Sequence, residues 1–324
     1  MNSQLPTPIK VGVSFLAVTL LKRSLIVAGL CLFLLMVKTP PLQANDPPPE
    51  RHRLRVGVLQ TAFFGLNSHD AEAAFKVFAK SLGNSYHYDI DVSVQVFGHI
   101  TEVNSLPPEE RPELLIFSSW NYLQMENADW LDPRFFSSID NQIATPYLLI
   151  GGRGQEIVPL EKLKGKSLNI FYGASSTAGD YWLQTLLRDL QLSRPEDYFG
   201  RVEYKTDPAA AVLPVFFDKT DMALIAGNKL ALMVELNPQL KRMPVLKRSK
   251  PLIDGVICLN RTGWSSASFR RDVLQSMQEL HKSPAGQQIL TLFKIDRLAP
   301  YEKHQLDTMR LLQQRFLAYD QANQ

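Results

Sequence analysis

Three hydroxyl side chains and two glycines crowd into one short run, Gly173-Ala174-Ser175-Ser176-Thr177-Ala178-Gly179-Asp180. If a helix begins here, its first N–H groups have no partner inside the helix and lie at the positive end of the macrodipole. Small side chains let an oxyanion come close to that backbone, and the hydroxyls of Ser175, Ser176 and Thr177 add donors. Hydrogen bonds to a charged group are worth about 1.5–3 kcal/mol each, so several together would hold an anion tightly. A second reading needs no ligand: Thr177 and Asp180, three apart, have the form of a capping box that merely starts a helix. On these residues alone both readings stand.

The flanking elements fix where that run sits. Residues 167–172, with apolar Leu168, Ile170 and Phe171, read as a strand, and Trp182, Leu183, Leu186, Leu187 and Leu190 recur at helical spacing. Strands are also expected at 53–59, 88–97, 114–117, 146–150, 202–205, 222–225, 245–246 and 253–259. Helices are expected at 70–82, 207–217, 229–236, 267–281, 284–293 and 302–318. This alternation predicts an α/β protein of two lobes, each a mostly parallel sheet flanked by helices. Residues 53–150 and 252–324 form the first lobe and 151–251 the second, after a linker at 45–52 rich in proline. Two crossings make a hinge with a cleft between the lobes. Ligands of open α/β sheets lie beyond the carboxyl ends of the strands. That side gathers residues 60–68, 118–122 and 173–179, with Asp221 near them. Gly151-Gly152-Arg153-Gly154 lacks the spacing and the following helix of a nucleotide loop, and reads as a turn.

Composition narrows the function. The chain has 324 residues and a formal charge of +3, but residues 1–44 hold Lys10, Lys22, Arg23 and Lys38 and no acid. Without them 31 basic residues face 32 acidic ones, so the basic balance belongs to the leader and implies no nucleic-acid partner. Lys22-Arg23 precede an apolar run at 24–37 and a polar stretch ending Leu-Gln-Ala, the form of a signal peptide cleaved after Ala44. The further apolar run at 9–21 leaves open a retained membrane anchor. Cys258 is then the one cysteine of the exported chain, and in its apolar run it reads as a buried hydrophobe. The six histidines show no metal-ligand spacing, and no nucleophile–base set or cofactor loop stands out, so neither metal nor cofactor nor catalysis is expected.

Four stretches resemble the phosphate/phosphonate family of periplasmic substrate-binding proteins, the solute-capturing components of ABC importers. They are LEKLKGKSLNIFYGASSTAGDYWLQTLL (160–187), AAAVLPVFFDKTDMALI (209–225), ELNPQLKRMPVLKRSKPL (235–252) and SPAGQQILTLFKIDRL (283–298). The resemblance covers most of residues 53–312. It implies the type 2 periplasmic-binding fold, with two lobes joined by two strands and phosphate, phosphite or a small phosphonate held between them. It also implies a monomer in the periplasm that serves a membrane permease and its ATPase. The family's Ser-Thr-Ser-Gly turn corresponds to Ser176, Thr177, Ala178 and Gly179, so the third hydroxyl is missing, and Ser175 offers one from a different position. Asp180 follows directly; it supports the helix and repels an anion at the same end. The resemblance makes Tyr122 a cleft tyrosine, with Ser119 and Trp120 beside it, and makes Asp221 the reader of an amine or protonated oxygen. From the residues themselves, Tyr122 reads equally as a rim aromatic, Trp120 as packing and Asp221 as a turn residue. A second functional reading is a periplasmic sensing module for a membrane signalling protein, with the leader kept as its anchor.

Overall fold

The computed structural model describes residues 47–62, 68–172 and 177–322. The expected leader, the loop at 63–67 and the hydroxyls of Ser175 and Ser176 lie outside the described residues. The folded body begins at Pro49, and the segment before it is a separate unit.

In chain order the body carries β1 (Glu50–Leu59), α1 (Ser68–Tyr86), β2 (Tyr88–Phe97), α2 (Ile100–Asn104), β3 (Leu114–Ser118), α3 (Ser119–Gln124), β4 (Leu131–Ser138), β5 (Ala144–Thr145) and β6 (Tyr147–Gly151). There follow β7 (Ser167–Phe171), α4 (Thr177–Asp189), α5 (Pro195–Tyr198), β8 (Arg201–Lys205), α6 (Pro208–Phe216), β9 (Met222–Ala226), α7 (Gly227–Leu236) and β10 (Val245–Arg248). The chain closes with β11 (Leu252–Ile253), β12 (Gly255–Asn260), α8 (Ala267–Gln278), α9 (Pro284–Leu292), β13 (Arg297–Pro300) and α10 (Asp307–Ala322).

Two mixed sheets define two lobes. The first has the order β13-β4-β12-β3-β1-β2 and the second β10-β6-β9-β7-β8. Only β2, β1 and β3 in the first, and β8, β7 and β9 in the second, pair in parallel; the other neighbours are antiparallel. The expectation of mostly parallel sheets is therefore corrected. Each lobe starts from βα units, but the strands beside the crossings run back against them and reverse the pairing. The crossings themselves pair as β5 with β11, Leu252 opposite Thr145 and Ile253 opposite Ala144, a two-stranded hinge. Because β6 already belongs to the second sheet, the chain has crossed before Tyr147, and a lobe boundary at residue 150 falls inside that strand.

β4 and β13 were not expected. Pro133 lies in β4 at a shift of register against β12, and Pro300 ends β13; both break the alternating apolar pattern that marks a strand. Apolar faces of α1, α8 and α9 pack on the first sheet around Leu54, Val56, Phe75, Leu259 and Phe269. The second sheet is covered by α6 on one face and α4 on the other, with Leu168, Ile170, Leu183 and Leu187 buried on the α4 side. The last helix, α10, leaves the first lobe and reaches α4 of the second. There Arg315 pairs with Asp189, the Tyr319 hydroxyl donates to Asp189 at 2.8 Å, and Arg188 donates to the Phe316 carbonyl at 3.1 Å.

Candidate ligand site

Helix α4 starts at Thr177, directly past the carboxyl end of β7. Thr177 and Ala178 are buried, and Gly179 allows the close approach that organises the turn. A Cβ at Gly179 would stand 2.3 Å from the Tyr147 ring, so only glycine lets that ring lie against the first turn. The Tyr147 hydroxyl accepts the Gly179 N–H and donates to Asp254 Oδ1 at 2.6 Å. One unpaired amide of the helix start is thus satisfied from within the protein.

Asp254 lies on the returning crossing between β11 and β12. Burial pushes its carboxyl up to about 7, against the Tyr147 hydrogen bond and the nearby Lys229 ammonium, which favour its charged form. Lys229, in the first turn of α7 past the carboxyl end of β9, is lowered by burial and by Lys294, while Asp254 and Asp140 hold it up. Asp180, in the first turn of α4, is pushed up to about 6 by burial, opposed by the Gln184 amide that donates to it at 3.0 Å. Its other oxygen, Oδ1, is buried with no hydrogen-bond partner. The carboxyl ends of β7 and β9 therefore carry a helix start flanked by two carboxylates that sit poorly as anions.

The lobes meet through aromatic rings. Trp120 of α3 stacks face to face on Tyr181 of α4, with centroids 3.7 Å apart and planes at 4°. Phe316 of α10 packs edge-on against both rings at 5.2 Å, and Gln313 donates to the Trp120 carbonyl at 2.9 Å. Beside this stack is a cavity of about 510 Å³, lined by Gln60, Thr61, His99, Thr101, Asn121 and Gln124 of the first lobe and closed by Tyr181 of the second. Gln60 follows β1, Gly98 follows β2 and α3 follows β3, so the cavity lies at the carboxyl ends of the first lobe's parallel strands. Its size suits a small ligand. Neither lysine nor arginine lines it among the described residues.

Of the expected site residues, Thr177 and Gly179 lie at the helix start. Ser175 and Ser176 lie outside the described residues, Trp120 lines the cavity, and Ser119, Tyr122 and Asp221 lie elsewhere. The Ser119 hydroxyl donates to the Ile253 carbonyl and its N–H to the Asp254 carbonyl at 2.8 Å; Ser119 is 1% exposed and pins the returning crossing to the first lobe. Trp120 offers its face to Tyr181, which leaves that face closed to a ligand. Tyr122 is buried in the first lobe with its hydroxyl 3.2 Å from that of Tyr301, and burial raises its phenol above the usual range. Asp221 sits at the wrong end of the second sheet. It accepts the Ser167 N–H at 2.8 Å and hydroxyl at 2.7 Å, and pairs with Lys166 at 3.2 Å. Ser167 opens β7, whereas Thr177 follows its far end; five strand residues at about 3.3 Å each separate the two positions. An acid that precedes a parallel strand is at the amino end by construction. Tyr147, Asp254 and Lys229 escaped the sequence reading, although an acid set among apolar residues (Ile253-Asp254-Gly255-Val256) was a visible signal.

Two mixed α/β sheets, a paired two-strand hinge and a ligand-sized cavity between the lobes define a binding protein of the periplasmic type. The chain belongs to the family described as ABC transporter, phosphonate, periplasmic substrate-binding protein, whose model matches residues 65–306. Solved structures agree on the fold. XAC2383 from Xanthomonas citri bound to ATP is 13% identical, with a TM-score of 0.59 over 82% of this chain and 97% of that one. A binding-protein component of an ABC phosphonate transporter from Pseudomonas aeruginosa, PA3383, is 13% identical, with a TM-score of 0.55 over 86% of this chain and 90% of that one. PhnD1 from Prochlorococcus marinus in complex with methylphosphonate is 15% identical, with a TM-score of 0.53 over 81% and 97%. A search of curated proteins returned no match. Among the described residues no helix is long and apolar enough to cross a membrane.

Proposed function

We propose that this chain is exported through its N-terminal leader, captures a phosphorus oxyanion between its lobes as a monomer, and delivers it unchanged to a membrane permease and its ATPase. The observation that carries the proposal is the interlobe cavity of about 510 Å³, closed by Tyr181 one helical turn past Thr177. Ligand oxygens would meet the hydroxyl and N–H groups at the start of α4, with the amides and hydroxyls of the first lobe opposite. The relative solved with methylphosphonate supports this ligand class. A second structure of XAC2383, bound to chloride ion, shows only that a chain of this fold can hold an anion.

The carboxylates at this helix start refine the choice among phosphate, phosphite and a small phosphonate. Asp180 shares its end of α4 with the proposed anion, and Asp254 lies behind Tyr147. A phosphonate, which gives up its second proton less readily than phosphate, is repelled less than a phosphate dianion. Calorimetry of the exported protein with all three ligands tests the proposal. Methylphosphonate should bind more tightly than phosphate, and no heat from any of the three at millimolar concentration would remove the ligand class.

A further inference from the structure

A second interlobe cavity, of about 230 Å³, adjoins the returning crossing. Its walls come from α4, from the segment after β10 and from α10, so both lobes contribute. Three cations line it, Arg248, Lys250 and Arg315, and no carboxylate does among the described residues. Arg315 is matched by Asp189. Arg248 and Lys250 have no ion-pair partner among the described residues. Between them Ser249 is 6% exposed: its hydroxyl accepts the Tyr147 N–H at 2.7 Å and donates to the Lys250 carbonyl at 2.6 Å, and its N–H donates to the Tyr147 carbonyl at 2.9 Å. Two neighbouring cations are thus held on a fixed backbone at one cavity, both available to an anion.

The rest of the lining is apolar. Leu252 and Leu312 are buried, Trp182 is half-buried, and Leu311 remains 49% exposed at the rim. We infer that this cavity binds a small amphiphilic anion, a carboxylate on a short apolar chain, at a site separate from the ligand cleft. The carboxylate meets Arg248 and Lys250, and the chain covers Trp182 and the leucines. Since the walls belong to both lobes, an occupant holds them in the arrangement seen here, and its binding is linked to that of any cleft ligand that prefers the same arrangement.

Titration of the whole exported protein with octanoate, followed by calorimetry, tests the inference without relying on the identity of the cleft ligand. Octanoate should bind at one site. Acetate, which has the charge alone, and octanol, which has the chain alone, should each bind about tenfold more weakly or worse. The exposed pair Arg248→Ala/Lys250→Ala, checked for native circular dichroism, should weaken octanoate about tenfold or more, while Thr177→Ala leaves it unchanged. Equal affinity in the double variant, loss of octanoate binding in Thr177→Ala, or no binding to the unaltered protein would each overturn the assignment.

Discussion

The two ends of the second sheet hold acids in opposite conditions. At the amino end Asp221 is partly open to water; burial pushes its carboxyl up, but the Ser167 N–H and hydroxyl and the Lys166 ammonium outweigh that and leave it below the ordinary value. At the carboxyl end Asp180 rises to about 6, and Asp254, on the hinge and bonded to Tyr147, to about 7, both chiefly through burial. One carboxylate is satisfied as part of the scaffold, and the others are held in a dry place where charge is costly. An aspartate fully served by its own strand neighbours is a structural residue. One kept poorly served at a lobe junction is where a ligand or a proton changes something.

The sharpest way to break this comparison is to open the dry end. Trp120 is 5% exposed and stacked across the lobes, so Trp120→Ala should cost about 3–5 kcal/mol of stability, read from urea unfolding of the ligand-free protein. A ligand-stacking tryptophan would leave that stability nearly unchanged and lower only affinity.

Protonation gives the next largest effect. Asp254 has a folded-state pKa raised to about 7 from an ordinary 3.8, so its stabilising contribution is complete below about pH 4 and is lost as the pH rises through 7. Asp254→Asn keeps an acceptor for the Tyr147 hydroxyl and removes the titration. The variant should gain roughly 1–3 kcal/mol at pH 8 and change little at pH 4. Parallel melting curves across that range would refute the burial argument. The smallest effect belongs to the wet end. Asp221→Asn should cost about 1 kcal/mol, through weaker bonds from Ser167 and the lost Lys166 pair, and leave ligand affinity untouched.

Much of this architecture can be read from the sequence. Alternation in Tyr88–Phe97 and the apolar run Met222–Ala226 mark strands, and the leucine spacing after Thr177 marks a helix. Those local patterns also mark one wall of the proposed site, because a strand, a run of small residues and a helix are contiguous in the sequence. What stays hidden is whatever the tertiary structure brings together. Tyr147 and Asp254 are 107 residues apart and meet because the two crossings lie side by side at the hinge. The partners of Trp120 and Tyr122 are Tyr181, Phe316 and Tyr301, all far along the chain, so their burial has no local signature. Asp221 was placed by its likeness to a family position, whereas its place before a parallel strand already assigns it to the far end.

The central claim is that ligand oxygens are held at the start of α4 and not at the amino end of the same sheet. Calorimetric titration of methylphosphonate into the unaltered protein, Thr177→Ala and Asp221→Asn tests it directly. Loss of one charge-assisted hydrogen bond should weaken Thr177→Ala about tenfold or more, and Asp221→Asn should match the unaltered protein. The reverse pattern, with Thr177→Ala unchanged and Asp221→Asn impaired, would contradict the account.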